Sequence, residues 1–557
     1  MKYSSKLDMK LPESTDQYNV EDMNDNTKIV DEKLHDVIES DKLKANDLRY
    51  SDETGKLELL AGEKVLKEVT IEGGSKSEIR VTNTSQDLVG QTVTCSMTGA
   101  ETLTGVIGED YKVTFKVKYV GTYTITCGEN EVSTEITTIG SIVDVALATY
   151  TMYAFHINGS ESDPKSMVTY PVGCKNENFT PAKMNFSTGS FEYGSWEDAF
   201  FMPKPCMLKY DGTVDYYLNP NDYTKKADGT ASDVANTSYG GNAMMEWGQN
   251  GKRIYYKVVP DSGSTKSATI YIADRKLDNG FKGYSFINHQ GKEVDHFYTP
   301  IYNGSNVSNK LRSLSGRTVI QNCTADNEIT YAKANNTTSD VLWYTEELCD
   351  VILINFLLIL MGKSVNTQEV YGVGNMSGYV NNSGSNNGMV ATGSMNTKGM
   401  FWGKNTSSTS DNSGVKVFGM ENWWGNQWRR YAGHINANGT QKIKLTYGKQ
   451  DGSSVEGYNT DGSGYISIGS TPAGTSGGYI SEMTFNEYGM FSKQSSGSET
   501  TYYADGQWFN NSQVDYAYRG GSCNYGARCG AFYFNLSSAS SHSGWNVGCA
   551  PSCKPLV

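Results

Sequence analysis

Six histidines and ten cysteines are the side chains of this 557-residue chain best suited to ligate a metal or attack a substrate. The histidines are His35, His156, His289, His296, His434 and His542, and no two stand at metal-ligand spacing such as H-x-x-x-H. His296 lies inside an aromatic run and reads as a hydrogen-bonded core residue. The cysteines form no C-x-x-C, and Cys549 with Cys553 makes at most half a zinc site. Free buried thiols are the default for a chain assembled in the cytoplasm, although Cys95 and Cys127 can face each other in a sandwich. Gly474-Thr475-Ser476-Gly477-Gly478 matches G-x-S-x-G, but Pro472 precedes it and a Gly-rich stretch surrounds it. A nucleophile elbow needs an apolar strand before it and a helix after it. Glu421 and Asn422 offer hard oxygens to a structural Ca²⁺, or hydrogen bonds to their own loop. Neither G-x-x-x-x-G-K-[ST] nor H-E-x-x-H occurs. No catalytic residue and no resident cofactor is therefore expected. Paired carboxylates of the glycosidase kind are set in space and are not legible here.

The bulk properties point the same way. The net charge of −13 argues against a general binder of phosphate backbones and against an anionic membrane surface. Tyr is abundant at 37 residues against 18 Phe, and Gly numbers 59. Tyr and Trp mixed with Ser, Gly and Asn suit adaptable binding surfaces. They equally suit a β-rich protein with aromatic cross-strand pairs. The start, Met1-Lys2-Tyr3-Ser4-Ser5-Lys6, leads into charged residues, which predicts synthesis without an export signal. The longest apolar run, from Val351 to Met361, is broken by Asn355. It falls well short of the ~20 residues of a membrane span and predicts a buried helix.

The elements that must position any site fall into three parts. Residues 1–50 are polar and charged, with Met23, Val30 and Val37 seven apart and Leu34 between, a short coiled-coil pattern. Residues 55–140 alternate in short runs around Ile79, Val93, Phe115 and Ile125 and predict a small β-sandwich. Residues 145–557 are rich in aromatics and short strands, among them Ala268-Thr269-Ile270-Tyr271-Ile272. A core helix is predicted over 343–363 with Thr345 as its N-cap. Residues 374–415 and 449–500, dense in Gly, Ser, Asn and Thr, read as long loops.

Several landmarks recur in a fixed order. They are the aromatic run at 295–304, the apolar helix with Asn366-Thr367-Gln368 after it, Glu421-Asn422-Trp423-Trp424-Gly425-Asn426-Gln427-Trp428, Arg519-Gly520-Gly521-Ser522, and Gly544-Trp545-Asn546-Val547-Gly548. Together they resemble C-type-lectin-like domains of the formylglycine-generating-enzyme type, above all those that end phage tail fibres and the variable proteins of diversity-generating retroelements. Residues 10–37, with L-P-E-x-T-D and N-D-N-x-x-x-V-D, resemble the start of phage fibre proteins, and Gly121-Thr122-Tyr123-Thr124-Ile125-Thr126 resembles a late strand of bacterial immunoglobulin-like modules. The fold expected is mainly β with an α+β C-terminal part: an immunoglobulin-like β-sandwich, then a large C-type-lectin-like domain with long loops. Cys523 and Cys529 do not fall in the paired pattern of the copper-binding oxidases of that family.

The resemblance implies a variable receptor-binding surface within about 519–553, on a scaffold of Phe532, Phe534, Leu536, Trp545 and a buried, paired Arg519. Its candidate contact residues are Cys523, Asn524, Tyr525, Arg528, Tyr533, Asn535, Ser537, Ser540, His542, Ser543, Asn546 and Cys549. The expected role is that of a phage virion protein of the tail-fibre type. It would be a homotrimer, joined to other virion proteins through its N-terminus and to a bacterial surface protein or glycan through its C-terminal face. No nucleic acid and no membrane insertion are expected. A head-decorating fibre, an enzyme on the same fold and a surface-displayed bacterial variable protein are the rival readings.

Overall fold

The computed structural model describes residues 47–556, apart from 52–55, 62–63, 71–75, 83–87, 129, 148–149, 382–386 and 410–413. The coiled-coil pattern of residues 1–46 and the fibre-like start at 10–37 lie outside the described residues. The described chain is mainly β and divides into two compact units, Met1–Thr149 and Tyr150–Val557.

In the first unit, Asp47–Ser51, Lys56–Ala61 and Lys64–Thr70 form an antiparallel three-stranded meander. Two further sheets follow. One orders Ile142–Ala146, Ser77–Thr82 and Lys112–Val117, with Ile142–Ala146 parallel to Ser77–Thr82. The other orders Leu103–Val106, Thr92–Ser96, Gly121–Cys127 and Asn130–Ile136. Alternation makes these strands: Ile79, Val81, Val93, Phe115, Val117, Tyr123 and Ile125 point into one shared core while their Thr, Lys and Glu neighbours stay outside. Cys95 and Cys127 lie on neighbouring strands of the same sheet, unbonded, rather than opposite each other across the core.

In the second unit the largest sheets have seven strands each. One runs Asp222–Lys226, Val214–Asn219, Lys204–Lys209, Gly241–Trp247, Phe297–Pro300, Pro551–Pro555, Val341–Thr345. The other runs Ile466–Ser470, Thr440–Ile443, Trp428–Ala437, Val514–Arg519, Phe534–Leu536, Gln507–Phe509, with Val547–Gly548 pairing off Trp428–Ala437. A four-stranded sheet carries Met152–Ile157 and Ala268–Ala273 as its central pair.

The helix Leu348–Gly362 is buried along its length except at Gly362 itself, because its apolar residues run all round it. It begins five residues later than the sequence predicts. Trp343, Tyr344 and Thr345 favour a strand and pair with Cys553, Ser552 and Pro551, so Glu347 rather than Thr345 is the N-cap. Asn355, the polar break in the run, links the helix to the C-terminal tract. Its Nδ2 donates to the Ala531 carbonyl at 2.9 Å and its Oδ1 accepts from Trp423 Nε1 at 3.0 Å. Among the described residues no helix is long and apolar enough to cross a membrane.

The segment 449–500 is not one long loop. It holds Ile466–Ser470 and the hairpin Glu482–Asn486/Gly489–Ser495, whose Met483, Phe485 and Phe491 face the core. Gly, Ser and Asn between the few inward residues masked the alternation.

Candidate binding face and its buried frame

The C-terminal tract hangs from an arginine frame. Trp428–Ala437 and Val514–Arg519 pair with Arg429 opposite Arg519. Both guanidiniums converge on Glu346: Arg519 Nη2 donates to Oε1 at 2.6 Å and Arg429 Nε to Oε2 at 2.8 Å. Arg519 Nη1 also donates to the Trp423 carbonyl at 2.7 Å, and its guanidinium lies over the Trp423 ring at 3.5 Å. Burial, opposed by Glu346 and reinforced by Arg429, brings the Arg519 pKa down to about 10, so it stays charged at neutral pH. Next to it Arg430 pairs with the buried Glu328 at 2.7 Å. Gly520 and Gly521 then turn the chain with φ of 83° and 79°. A Cβ on Gly521 would lie 2.5 Å from Cys529 Sγ, so this turn needs glycine for both reasons.

Two loops leave this frame. The first carries Asn524 exposed and Tyr525 and Arg528 half-buried on a short 3-10 turn, Gly526–Arg528. Tyr525 packs edge-on against Trp428 at 5.1 Å and lies 6.3 Å from Trp508. Arg528 Nε donates to the Gly477 carbonyl at 2.7 Å, and its guanidinium sits 5.4 Å from the Tyr479 ring. The second loop exposes His542 and Ser543, with Ser537, Ser540 and Asn546 half-buried. Asn546 Nδ2 donates to Ser522 Oγ at 3.1 Å, and Ser522 Oγ donates to Asn524 Oδ1 at 2.6 Å, which ties the two loops together. Trp545 reaches Tyr379, ring to ring at 5.3 Å, and Tyr379 and Val380 extend the surface as exposed hydrophobic residues. The His542 carbonyl accepts from Arg430, and burial together with Arg430 lowers the pKa of its ring.

Four of the twelve candidates lie inside. Cys523, Tyr533 and Cys549 have 0% exposure and Asn535 has 7%. Tyr533 accepts a 2.6 Å bond from Trp508 Nε1 and packs on Trp428. Asn535 Oδ1 caps a turn by accepting from the Ser537 amide and hydroxyl at 2.8 and 2.9 Å. Cys523 Sγ approaches the Asn387 carbonyl, and Cys549 packs with Leu311, Ile320 and Cys323. These side chains lie beneath the exposed ones of the tract. Phe532, Phe534 and Leu536 are buried, as a scaffold requires, whereas Trp545 is half-buried at the surface.

Sequence reasoning missed Glu346, Arg429, Glu328 and Arg430, which hold the frame. The only signal was a double Glu before an apolar helix and a double Arg after a tryptophan cluster.

The sequence-level chemistry resolves into structural roles. Ser476 Oγ donates to the Phe509 carbonyl and accepts from its amide, with no histidine among its described partners. Cys529 Sγ donates to the Ser522 carbonyl at 3.4 Å, and burial drives its pKa well above the ordinary thiol value, as it drives that of Cys523 up to about 12. The two thiols turn to separate carbonyls, Cys529 to Ser522 and Cys523 to Asn387. Both Glu421 oxygens accept backbone amides, from Gly393 and Met395, each at 2.8 Å, and the buried ammonium of Lys416 acts on the same carboxylate. That donor set does not fit calcium, which needs ~6–8 oxygens.

One cluster has ligand-like spacing among the described residues: Glu347, Cys349 and Asp350. Lys554 already sits in it, its Nζ 2.6 Å from Glu347 Oε2, 3.5 Å from Cys349 Sγ and 3.7 Å from Asp350 Oδ1. The other Glu347 oxygen meets His289, whose ring stacks on Tyr447 at 4.4 Å. Lys554 and His289, outweighing burial, hold Glu347 down at about 2, while burial lifts Asp350 to about 6. An internal ammonium thus supplies the positive charge that the cluster requires.

No protein-family model matches the chain, and no curated protein matches it.

Proposed function

We propose that this chain is a receptor-binding virion protein of the phage tail-fibre type, a binding protein and not a catalyst. One observation carries the reading. The C-terminal tract presents Asn524, Tyr525, Arg528, His542, Ser543 and Asn546 outward from a buried frame of Arg429, Arg519 and Glu346. A fixed charged frame beneath two loops of Tyr, Asn, Ser, Arg and His is how a surface changes its contacts without changing its fold. The C-type-lectin-like assignment of 145–557 rests on the ordered landmarks. It is supported by Asn355 joining the core helix to the tryptophan landmark and to the tract.

The first unit is read as an immunoglobulin-like spacer. Its two sheets on one core support this, as does Tyr123, whose hydroxyl donates to the Tyr119 carbonyl at 3.0 Å in the manner of a tyrosine corner. The partners proposed are a bacterial surface protein or glycan at the tract and other virion proteins at the N-terminus. A homotrimer would multiply a weak contact through avidity.

The test is binding of the full chain to whole cells of a panel of bacteria, beside a variant with Asn524, Tyr525, Arg528 and His542 changed to Ala. Strain-restricted binding lost in the variant supports the reading. Strain-restricted binding that survives places the receptor site elsewhere, and absence of binding to every strain removes the adhesin reading.

A further inference from the structure

A cavity of about 70 Å³ lies where the helix Leu348–Gly362, the strand Trp428–Ala437, the hairpin 482–495 and the tract at 531–534 meet. Most of its wall is apolar, with Leu348, Ile352, Phe356, Met483 and Phe532 among the lining residues. Its volume is well above the roughly 10–15 Å³ that admits one water, so a molecule of a few heavy atoms fits. Met483 and Met490 line it too, and methionine side chains adapt to guests.

Arg519 is also in the wall. Its two terminal nitrogens are engaged by Glu346 and the Trp423 carbonyl, but its Nε–H is buried without a partner. The charge is also unbalanced. Arg429 and Arg519 share the single carboxylate of Glu346, while Arg430 has Glu328 to itself. The group of three therefore carries one net positive charge at 1–3% side-chain exposure, where an unpaired charge is costly. The other polar wall residues are occupied. Tyr431 Oη meets His434 Nδ1 at 2.9 Å, and His434 Nε2 faces Gln441 Oε1 at 3.4 Å. Burial holds the His434 pKa at about 4, so this imidazole is neutral at pH 7 and does not add charge.

We infer that this cavity is a binding site for a small monocarboxylate, its carboxylate on Arg519 and its short alkyl tail among Ile352, Met483 and Met490. The carboxylate balances the second guanidinium and gives the free Nε–H an acceptor, and the tail fills space that water occupies poorly. An alkyl acid of roughly two to four carbons matches the size. The inference stands apart from the adhesin reading, since the cavity lies beneath the exposed tract and uses none of its outward residues.

Calorimetry of the full chain at pH 7 with sodium butyrate, butyramide and sodium chloride tests it. Saturable one-to-one binding of butyrate, at least tenfold tighter than butyramide, is expected. Equal affinity for the amide overturns the charge argument, and chloride competing at equal concentration makes the site one for halide instead. Absence of saturable butyrate binding removes the site. Met490→Trp narrows the cavity without touching the arginine frame and should weaken butyrate at least tenfold while cell binding and the circular dichroism spectrum persist. A folded Met490→Trp that binds butyrate unchanged would place the ligand elsewhere and overturn the assignment.

Discussion

Arg519 Nη2 meets Glu346 Oε1 at 2.6 Å across 173 positions of sequence. Through this bond the last third of the second unit is fastened to the start of its core helix. Glu346→Gln keeps the shape and removes the only charge that Arg429 and Arg519 share. Breaking a buried pair in this way costs about 3–5 kcal/mol. Urea unfolding should show a loss of that size, and a loss below ~1 kcal/mol would mean that the frame is not held by charge.

Asp505 makes stability depend on pH. Its Oδ2 accepts the Phe532 amide at 2.7 Å, and burial raises its pKa from 3.8 to about 8. The folded chain therefore holds a proton that the unfolded chain releases between those values. Its contribution is complete below about pH 4 and is lost as pH rises through about 8. Asp505→Asn should flatten this dependence. Thermal melts of both proteins at intervals from about pH 4 to 9 should converge at the acid end and separate as pH rises toward about 8, with the variant higher. Parallel curves would contradict the assignment.

Exposure separates the tract's contacts from its supports. His542→Ala, at an exposed position, should reduce cell binding with a stability change within ~0.5 kcal/mol, as for an ordinary surface substitution. Tyr533→Phe removes the oxygen that Trp508 Nε1 donates to, and should cost about 0.5–1.5 kcal/mol, the net worth of one hydrogen bond. Cell binding at a temperature where both remain folded should be unchanged for Tyr533→Phe. The opposite pattern would reverse the two roles.

Thiol accessibility gives a further check. Cys174 is half-buried and the other cysteines are buried and unbonded. An aryl disulfide reagent should label Cys174 first in the native protein, and ten thiols should react in denaturant. Rapid labelling at Cys523 or Cys529 would show the tract to be more open than described.

The strands of the first unit were legible because Val, Ile and Thr alternate against Lys and Glu, as in Gly121–Cys127. The buried, paired state of Arg519 was legible only through the ordered landmarks, and the structure bears it out with Glu346 as the partner. The start of the core helix was not, because strand Val341–Thr345 runs into it with no polar break except Glu346 and Glu347. Those two glutamates look like a helix's first turn and in fact reach Arg519 and Lys554, partners more than 170 positions away. The inward and outward residues of the tract could not be told apart by type. Cys523, Tyr533 and Asn535 face in while Asn524, Tyr525 and Ser543 face out, an arrangement set by turns and strand pairing rather than by residue type.

Pro551–Pro555 lies between Phe297–Pro300 and Val341–Thr345, inside one of the two seven-stranded sheets rather than at its rim. A ribosome makes those two neighbours long before it makes the strand that joins them. At about 5–20 residues per second, the gap stays open for roughly 10–40 s on every growing chain. Throughout that time Val341–Thr345 lacks the one strand that ties it to this sheet, and an unpaired strand is a template for pairing with another chain. The sheet of the second unit thus gains Val341–Thr345 only once Pro551–Pro555 has been made.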